Sequence, residues 1–362
     1  MATPAYINRI ATAVPPHDVH DKFLQYAPSL LHDERRRHML GRMAQRAGIE
    51  HRYSVIEPDP DPERLDRAGL FERDAFPSTA ARMALYERHA PDLAVAGVEA
   101  LKLTEAERPT HVIVTTCTGL HAPGIDLEIV KRLGLDRGVE RTVVGFMGCY
   151  AAINGLKLAH HIVRSEPSAK VLMVNIELCT LHMQETGDLE SLLSFMIFAD
   201  GCAACLISAE PEGVEMLGFD ATVIPDSEDQ ITWHIRGQGF DMHLSGAVPA
   251  TVARGLPEVM TGLRDRFGIE DFSLWAVHPG GRSVLDAVEL SLSLPSDALG
   301  ASREVLRRYG NMSSATVMFV LKALAEGSPP GRNGVAMAFG PGLTAETMVF
   351  RTAGENRAER RA

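Results

Sequence analysis

One stretch limits the architecture of this chain more than any other: residues 143–166, VVGFMGCYAAINGLKLAHHIVRSE. A short β-branched run meets a Gly-Cys pair, and a helical pattern begins at once. Apolar residues at Ala152, Ile153, Leu156, Ala159, Ile162 and Val163 recur at three- and four-residue steps, so one helix face is buried. Cys149 therefore sits at a strand-to-helix junction, where free backbone N–H groups and the positive end of the helix dipole converge. Both favour a thiolate, which suits a nucleophile. Gly148 leaves room for a substrate to approach. The same stretch also fits a small apolar Cys filling a tight junction, and the rest of the chain must decide between the two.

Other segments repeat the style. Buried strands are predicted at 110–116, 170–176, 202–208, 214–220, 274–277 and 334–338, with a basic helix ending in a loop over 33–53 and helices near 78–103, 124–133, 188–197, 249–267 and 314–326. Residues 55–76, with Pro58, Pro60 and Pro62, read as a loop, and the run from 221 to Gly239 reads as mobile. The last ten residues read as a frayed tail. This is an α/β chain whose halves, 1–208 and 209–362, each place a chemically loaded residue between a strand and a helix. With 362 residues, 45% hydrophobic, there is ample chain for a large core. A net charge of −11 argues against a nucleic-acid surface. No signal peptide or apolar membrane span is read, and five irregularly spaced cysteines point to a reducing cytoplasm.

Three polar residues stand in otherwise apolar settings: Cys149, His278 in AVHPGGRS, and Asn311 in YGNMSSATVMFVL. Singly, a strand-end His is usually structural and an Asn before a helix is usually a cap. Together they make a thiol acyl-transfer set, with Cys149 as nucleophile, His278 as its proton partner, and His278 with Asn311 as oxyanion donors.

These residues carry a resemblance to type III polyketide synthases, the chalcone-synthase-like branch of the thiolase fold, of the bacterial pyrone or resorcinol synthase type. It rests on Gly148-Cys149, His278-Pro279-Gly280-Gly281, Gly310-Asn311-Met312-Ser313-Ser314, Phe198-Ala199-Asp200-Gly201 and Phe339-Gly340-Pro341-Gly342-Leu343-Thr344. The resemblance implies a thiolase-like five-layered αβαβα core built from two similar halves, and a homodimer. Cys149, His278 and Asn311 would be the catalytic triad, and Phe198 would guard the mouth between a CoA tunnel and a cavity. The thiolate of Cys149, paired with a His278 imidazolium, would take a starter acyl group from CoA. Malonyl-CoA would lose CO2 to give an enolate held by His278 and Asn311, and repeated condensation and cyclisation would follow. CoA thioesters are the substrates, and no metal or redox cofactor is needed.

By the same resemblance Arg42 and Arg46 contact CoA. Met39 replaces a further basic residue there, for which Arg37 or His38 could compensate. The cavity lining would include Cys117, Thr118, Cys179, His182, Trp233, Met242 and Ser313, each equally open to ordinary core packing. Trp233 stands where the plant enzymes have glycine, Met242 replaces a second gatekeeping phenylalanine, and Ala122 replaces a methionine that reaches across the dimer. A Trp there should shrink the plant-like pocket. Cys202 and Cys205 lie on one predicted strand, where residues three apart face opposite sides, so a shared metal is disfavoured. His160 and His161, adjacent on a helix, cannot face one ligand. Rival readings are a ketoacyl-ACP synthase III, a hydroxymethylglutaryl-CoA synthase, a non-catalytic acyl-CoA-binding protein and a metalloprotein.

Overall fold

The computed structural model describes residues 3–354; the tail predicted at the end of the chain lies mostly outside them. The first run of elements comprises β1 (Tyr6–Ala13), β2 (His17–Asp18), α1 (His20–Tyr26), α2 (Glu34–Ala47), β3 (Tyr53–Ser54) and α3 (Thr79–Glu99). It continues with β4 (His111–Thr116), α4 (Ile125–Arg132), β5 (Glu140–Gly145), α5 (Ala151–Ser165), β6 (Val171–Leu178), α6 (Leu189–Ile197) and β7 (Asp200–Ser208). The second run has β8 (Val214–Val223), β9 (Ile231–Arg236), β10 (Gly239–Leu244), α7 (Val248–Phe267), β11 (Leu274–Val277) and α8 (Arg282–Ser291). It closes with α9 (Gly300–Tyr309), α10 (Thr316–Gly327), β12 (Asn333–Gly340) and β13 (Thr344–Thr352).

Strands of the first run pair in the order β1-β7-β6-β4-β5, and those of the second in the order β11-β12-β13-β8. The two half-sheets join only where β1 meets β8, at Tyr6–Glu215 and Ile7–Val214. Helix α3 packs on β1, β6 and β7, and α7 packs on β8 and β13. Helices α5 and α10 touch strands of both half-sheets and so form the middle layer. The result is the five-layered αβαβα, thiolase-like arrangement.

Strand β6 shows why the sheet is buried on both faces. Leu172, Val174 and Ile176 enter the core under α3, while Val171 and Met173 enter the central core with Ile153, Leu156, Val163, Val317 and Val320. Each such side chain contributes about 1.5–3 kcal/mol relative to exposure. Alternation also separates Cys202, on the α3 side, from Cys205, on the central side. His160 is buried with its ring edge-on to Phe219 at 5.3 Å, whereas its neighbour His161 is exposed.

Three elements depart from the sequence reading. The run read as mobile contains β9 and leads into β10, and the two form a hairpin with Trp233 opposite Met242. Its alternation Ile231-Thr232-Trp233-His234-Ile235-Arg236 before Gly237 is the period-two signal of a strand and a turn. Helix α9 and strand β13 were also unread; β13 pairs with β12 through the tight Gly340–Thr344 end. Among the described residues no helix is long and apolar enough to cross a membrane.

Candidate active site

Cys149 occupies a single 3-10 turn, Gly148–Tyr150, between β5 and α5. Gly148 is required for a reason other than substrate access. Its φ is +70°, and a Cβ there would lie 2.6 Å from Cδ of Pro341 in the β12–β13 turn. Tyr150 reinforces the contact by donating its hydroxyl to the Pro341 carbonyl at 3.2 Å.

His278 follows β11, with its amide donating to the Met337 carbonyl at 2.8 Å. Its ring is buried, yet among the described residues neither ring nitrogen has a hydrogen-bond partner. A buried imidazole so placed is not held by the hydrogen bonds that a structural histidine makes. Asn311 lies between α9 and α10. Its Oδ1 accepts from the Ser313 amide at 2.8 Å, and Nδ2 donates to the Gly280 carbonyl at 3.2 Å. That fixes which end of the amide faces the sulfur and leaves one N–H of Nδ2 free of the Gly280 contact.

Burial pushes the Cys149 thiol up to about 12; hydrogen bonds from Ser313 and Asn311 oppose the rise, and the charge of Glu177 reinforces it. Burial also drives the His278 imidazole down to about 3. Burial thus works against both halves of the thiolate–imidazolium pair that the resemblance implies, because each charged form loses hydration.

Two cavities meet at Cys149, Phe198, Ile231 and Met242. The outer one, of about 590 Å³, holds His278 and Asn311 and opens past Met43, Arg46 and Arg282. The inner one is tight, about 80 Å³. All seven residues expected in the lining border it. Cys117, Thr118 and Ser313 lie near the sulfur, and Cys179 and His182 come from the turn after β6. Trp233 and Met242 come from the β9–β10 hairpin. The indole N–H of Trp233 donates to the Cys117 carbonyl at 2.7 Å, and its ring stands edge-on to His182 at 5.4 Å. His182 is fixed at both nitrogens: Nε2 to the Thr118 carbonyl at 2.7 Å and Nδ1 from the Phe240 amide at 3.0 Å. Burial lowers its pKa to about 3, so it stays neutral.

On the basic helix α2, Arg46 borders the outer mouth, while Arg42 lies exposed one turn back. Arg37 and His38 do not fill the place of Met39. The Arg37 Nε donates to the Leu31 carbonyl at 2.8 Å, and His38 faces Glu34 at 3.7 Å. The further basic group at the mouth is Arg282, just after the HPGG turn, whose guanidinium also reaches the Arg46 carbonyl at 3.2 Å.

Sequence reading also missed Glu177. This fully buried carboxylate on β6 accepts from the Cys117 amide at 2.9 Å, the Thr118 hydroxyl at 2.8 Å and the Ser314 hydroxyl at 2.5 Å. Burial raises its pKa to about 7 against these hydrogen bonds. Its one sequence signal is an acid in a strand whose other residues, Asn175 apart, are apolar.

Comparison with known proteins places the chain among condensing enzymes. Residues 2–211 match the family model of the chalcone and stilbene synthases, N-terminal domain, and residues 216–354 match that of the C-terminal domain. The chain is 34% identical to the alpha-pyrone synthesis polyketide synthase-like Pks18 of Mycobacterium tuberculosis, over 96% of this chain and 91% of that protein. Among solved structures, PKS-I of the brown alga Ectocarpus siliculosus superposes with a TM-score of 0.86 at 30% identity, covering 97% of this chain and 99% of that one. The type III polyketide synthase domain of Steely1 from Dictyostelium shares the fold, with a TM-score of 0.87 at 24% identity and coverage of 97% and 99%.

Proposed function

The chain belongs to the chalcone and stilbene synthases and is a type III polyketide synthase, and from that premise we propose how its own residues carry the reaction. Cys149 takes the starter acyl group from its CoA thioester. Burial disfavours both charged forms, so His278 accepts the thiol proton as sulfur attacks the carbonyl and returns it to the departing CoA thiolate. Malonyl-CoA enters the outer cavity past Arg46, Arg42 and Arg282, which meet the anionic nucleotide. Loss of CO2 leaves an enolate whose oxygen lies between His278 and the free N–H of Asn311. A lost donor of this kind costs about 3 kcal/mol in comparable sites. The enolate attacks the Cys149 thioester beneath Phe198, which serves as the gate, and the lengthened chain returns to Cys149. The observation that carries this reading is the meeting of an outer cavity with arginines at its mouth and an apolar inner one at a single cysteine.

The inner cavity continues past Phe23, Leu65 and Phe71, apolar surfaces that suit an alkyl starter. We infer an alkylpyrone or alkylresorcinol product, the former in line with the alpha-pyrone synthesis for which the mycobacterial relative is named. The halves 1–208 and 209–362 then act as the units that supply the nucleophile and the oxyanion donors respectively. Strand β5 is a sheet edge that exposes Val143, next to exposed Leu120 and Ala122, which supports a homodimer across this face. Five free cysteines suit a reducing cytoplasm. CoA thioesters serve as the only carriers in this scheme.

The test is a product screen. Purified protein receives malonyl-CoA with acetyl-, hexanoyl-, lauroyl-, palmitoyl- or 4-coumaroyl-CoA, and products are read by mass spectrometry. Pyrones or resorcinols whose mass follows the starter support the reading. Turnover only when an acyl-carrier protein supplies the extender would move the chain to the ketoacyl-ACP synthase III side.

A further inference from the structure

Arg52 has no part in the chemistry above, yet it is 2% exposed and borders the inner cavity. Its Nη1 donates to two main-chain carbonyls, Phe198 at 2.7 Å and Phe195 at 2.9 Å. Its Nε donates to Nδ1 of His20 at 3.1 Å, and the guanidinium lies over the Phe23 ring at 4.9 Å from the centroid. We propose that Arg52 is a positioning residue for the gate, holding the main chain of Phe198 between the N-terminal segment and the catalytic Asn311. This rests on the roles given above to Phe198 and the triad.

The geometry is specific. Phe198 leaves helix α6 in an extended conformation, φ −81° and ψ 142°, so no helical bond restrains its carbonyl. On one side the gate is held by Asn311: Ala199 donates to the Asn311 carbonyl at 2.9 Å, and Asn311 donates to the Ile197 carbonyl at 2.8 Å. On the other side the Phe198 carbonyl has Arg52. Residue 310 is shaped to admit that side chain. Gly310 has φ +68°, and a Cβ there would lie 2.9 Å from Cγ of Arg52 and 2.9 Å from the Ile197 carbonyl oxygen. The backbone of Arg52 is itself pinned, its carbonyl accepting from the Val19 amide at 2.8 Å and its amide donating to Asp18 Oδ1 at 3.2 Å. A buried guanidinium is costly unless its donors are used. Here Nη1 meets the loop that carries the gate and Nε meets His20, while Nη2 has no hydrogen-bond partner among the described residues.

The consequence separates two halves of the reaction. Decarboxylation of malonyl-CoA needs His278 and Asn311, and the Asn311 amide is also held by Gly280 and Ser313. Condensation needs, in addition, the enolate and the acyl thioester aligned beneath Phe198. A displacement of about 1 Å at the gate can cost on the order of a hundredfold in a step that depends on alignment. Releasing Phe198 should therefore uncouple decarboxylation from condensation.

The experiment measures acetyl-CoA released by decarboxylation against condensation product, with malonyl-CoA and hexanoyl-CoA as substrates. In Arg52→Gln the ratio should rise by about tenfold or more, and Arg52→Lys, which keeps the charge and part of the donor set, should recover part of it. His20→Leu leaves the arginine in place and removes only its Nε acceptor; its ratio should shift the same way by less, while His20→Gln, with an acceptor restored, should lie near wild type. A purely structural role would lower both activities in step with the folded fraction and leave the ratio alone. Wild-type turnover with an unmoved ratio in Arg52→Gln and His20→Leu overturns the role of Arg52, and the His20→Leu ratio decides if Arg52→Gln fails to fold. A wild type that neither decarboxylates nor condenses malonyl-CoA would instead overturn the reading of the whole site.

Discussion

Trp233 stands directly opposite Met242 in the β9–β10 hairpin, and its indole N–H is tied to the Cys117 carbonyl at 2.7 Å. The indole is thereby fixed as a wall of the inner cavity, packed at its edge by Phe240 and His182. Trp233→Gly should open that wall and allow at least one further extension or a different ring closure. The mass distribution of products with hexanoyl-CoA checks this. An unchanged profile would mean that the wall lies elsewhere. The loss of one neutral hydrogen bond should cost about 1 kcal/mol of stability, so the variant should fold.

Cys149→Ala should abolish condensation while leaving the fold intact. The change removes a single sulfur atom from a residue that borders two cavities. Circular dichroism should match wild type while no product accumulates. Full product formation by this variant would remove Cys149 from the nucleophile's role.

Arg46→Ala and Arg282→Ala should raise KM for malonyl-CoA by about tenfold each, with kcat little changed. A charge-assisted bond to phosphate contributes about 1.5–3 kcal/mol, and each 1.4 kcal/mol is tenfold in affinity. The defect should shrink as salt is added, because these arginines are exposed. Steady-state kinetics at two ionic strengths separate this from a defect in chemistry, which salt would not reduce.

Glu177 predicts a pH effect on stability. Its pKa is about 7 in the fold and lies near 4.5 when unperturbed. In that interval the folded state binds more proton than the unfolded state, so stability is greatest below the ordinary carboxylate range and falls as pH rises through about 7. The full effect is on the order of 3 kcal/mol. Glu177→Gln should flatten this slope, as measured by urea denaturation from pH 5 to 8. Because the Glu177 charge also raises the Cys149 pKa, the same variant should shift thiol alkylation toward lower pH. A shift toward higher pH would contradict the assignment.

Much of this was legible in the sequence where chemistry coincides with periodicity. Cys149, His278 and Asn311 each stand between regular elements, and the structure gathers them around adjoining cavities. What could not be read depends on distant neighbours. The need for glycine at 148 comes from Pro341, not from the local turn. The cost of charging Cys149 and His278 comes from layers of chain that remove water, whereas the local helix alone suggests a thiolate. Glu177 and Arg52 are buried charges whose partners lie far away in sequence, and neither belongs to a short motif. The β9–β10 hairpin was a different kind of miss, since its alternation was present and went unread.

The nucleophile's seat and its neighbour Pro341 lie far apart in the chain; the Tyr150–Pro341 bond spans 191 positions. A ribosome emits residues in order, at about 5–20 per second. Cys149 therefore emerges well before the loop against which Gly148 and Tyr150 pack. His278 and Asn311 also follow it. The reactive centre cannot close around its thiol until Pro341 has been made, so a product that stops before it carries the cysteine without the machinery. Synthesis order itself delays the onset of chemistry.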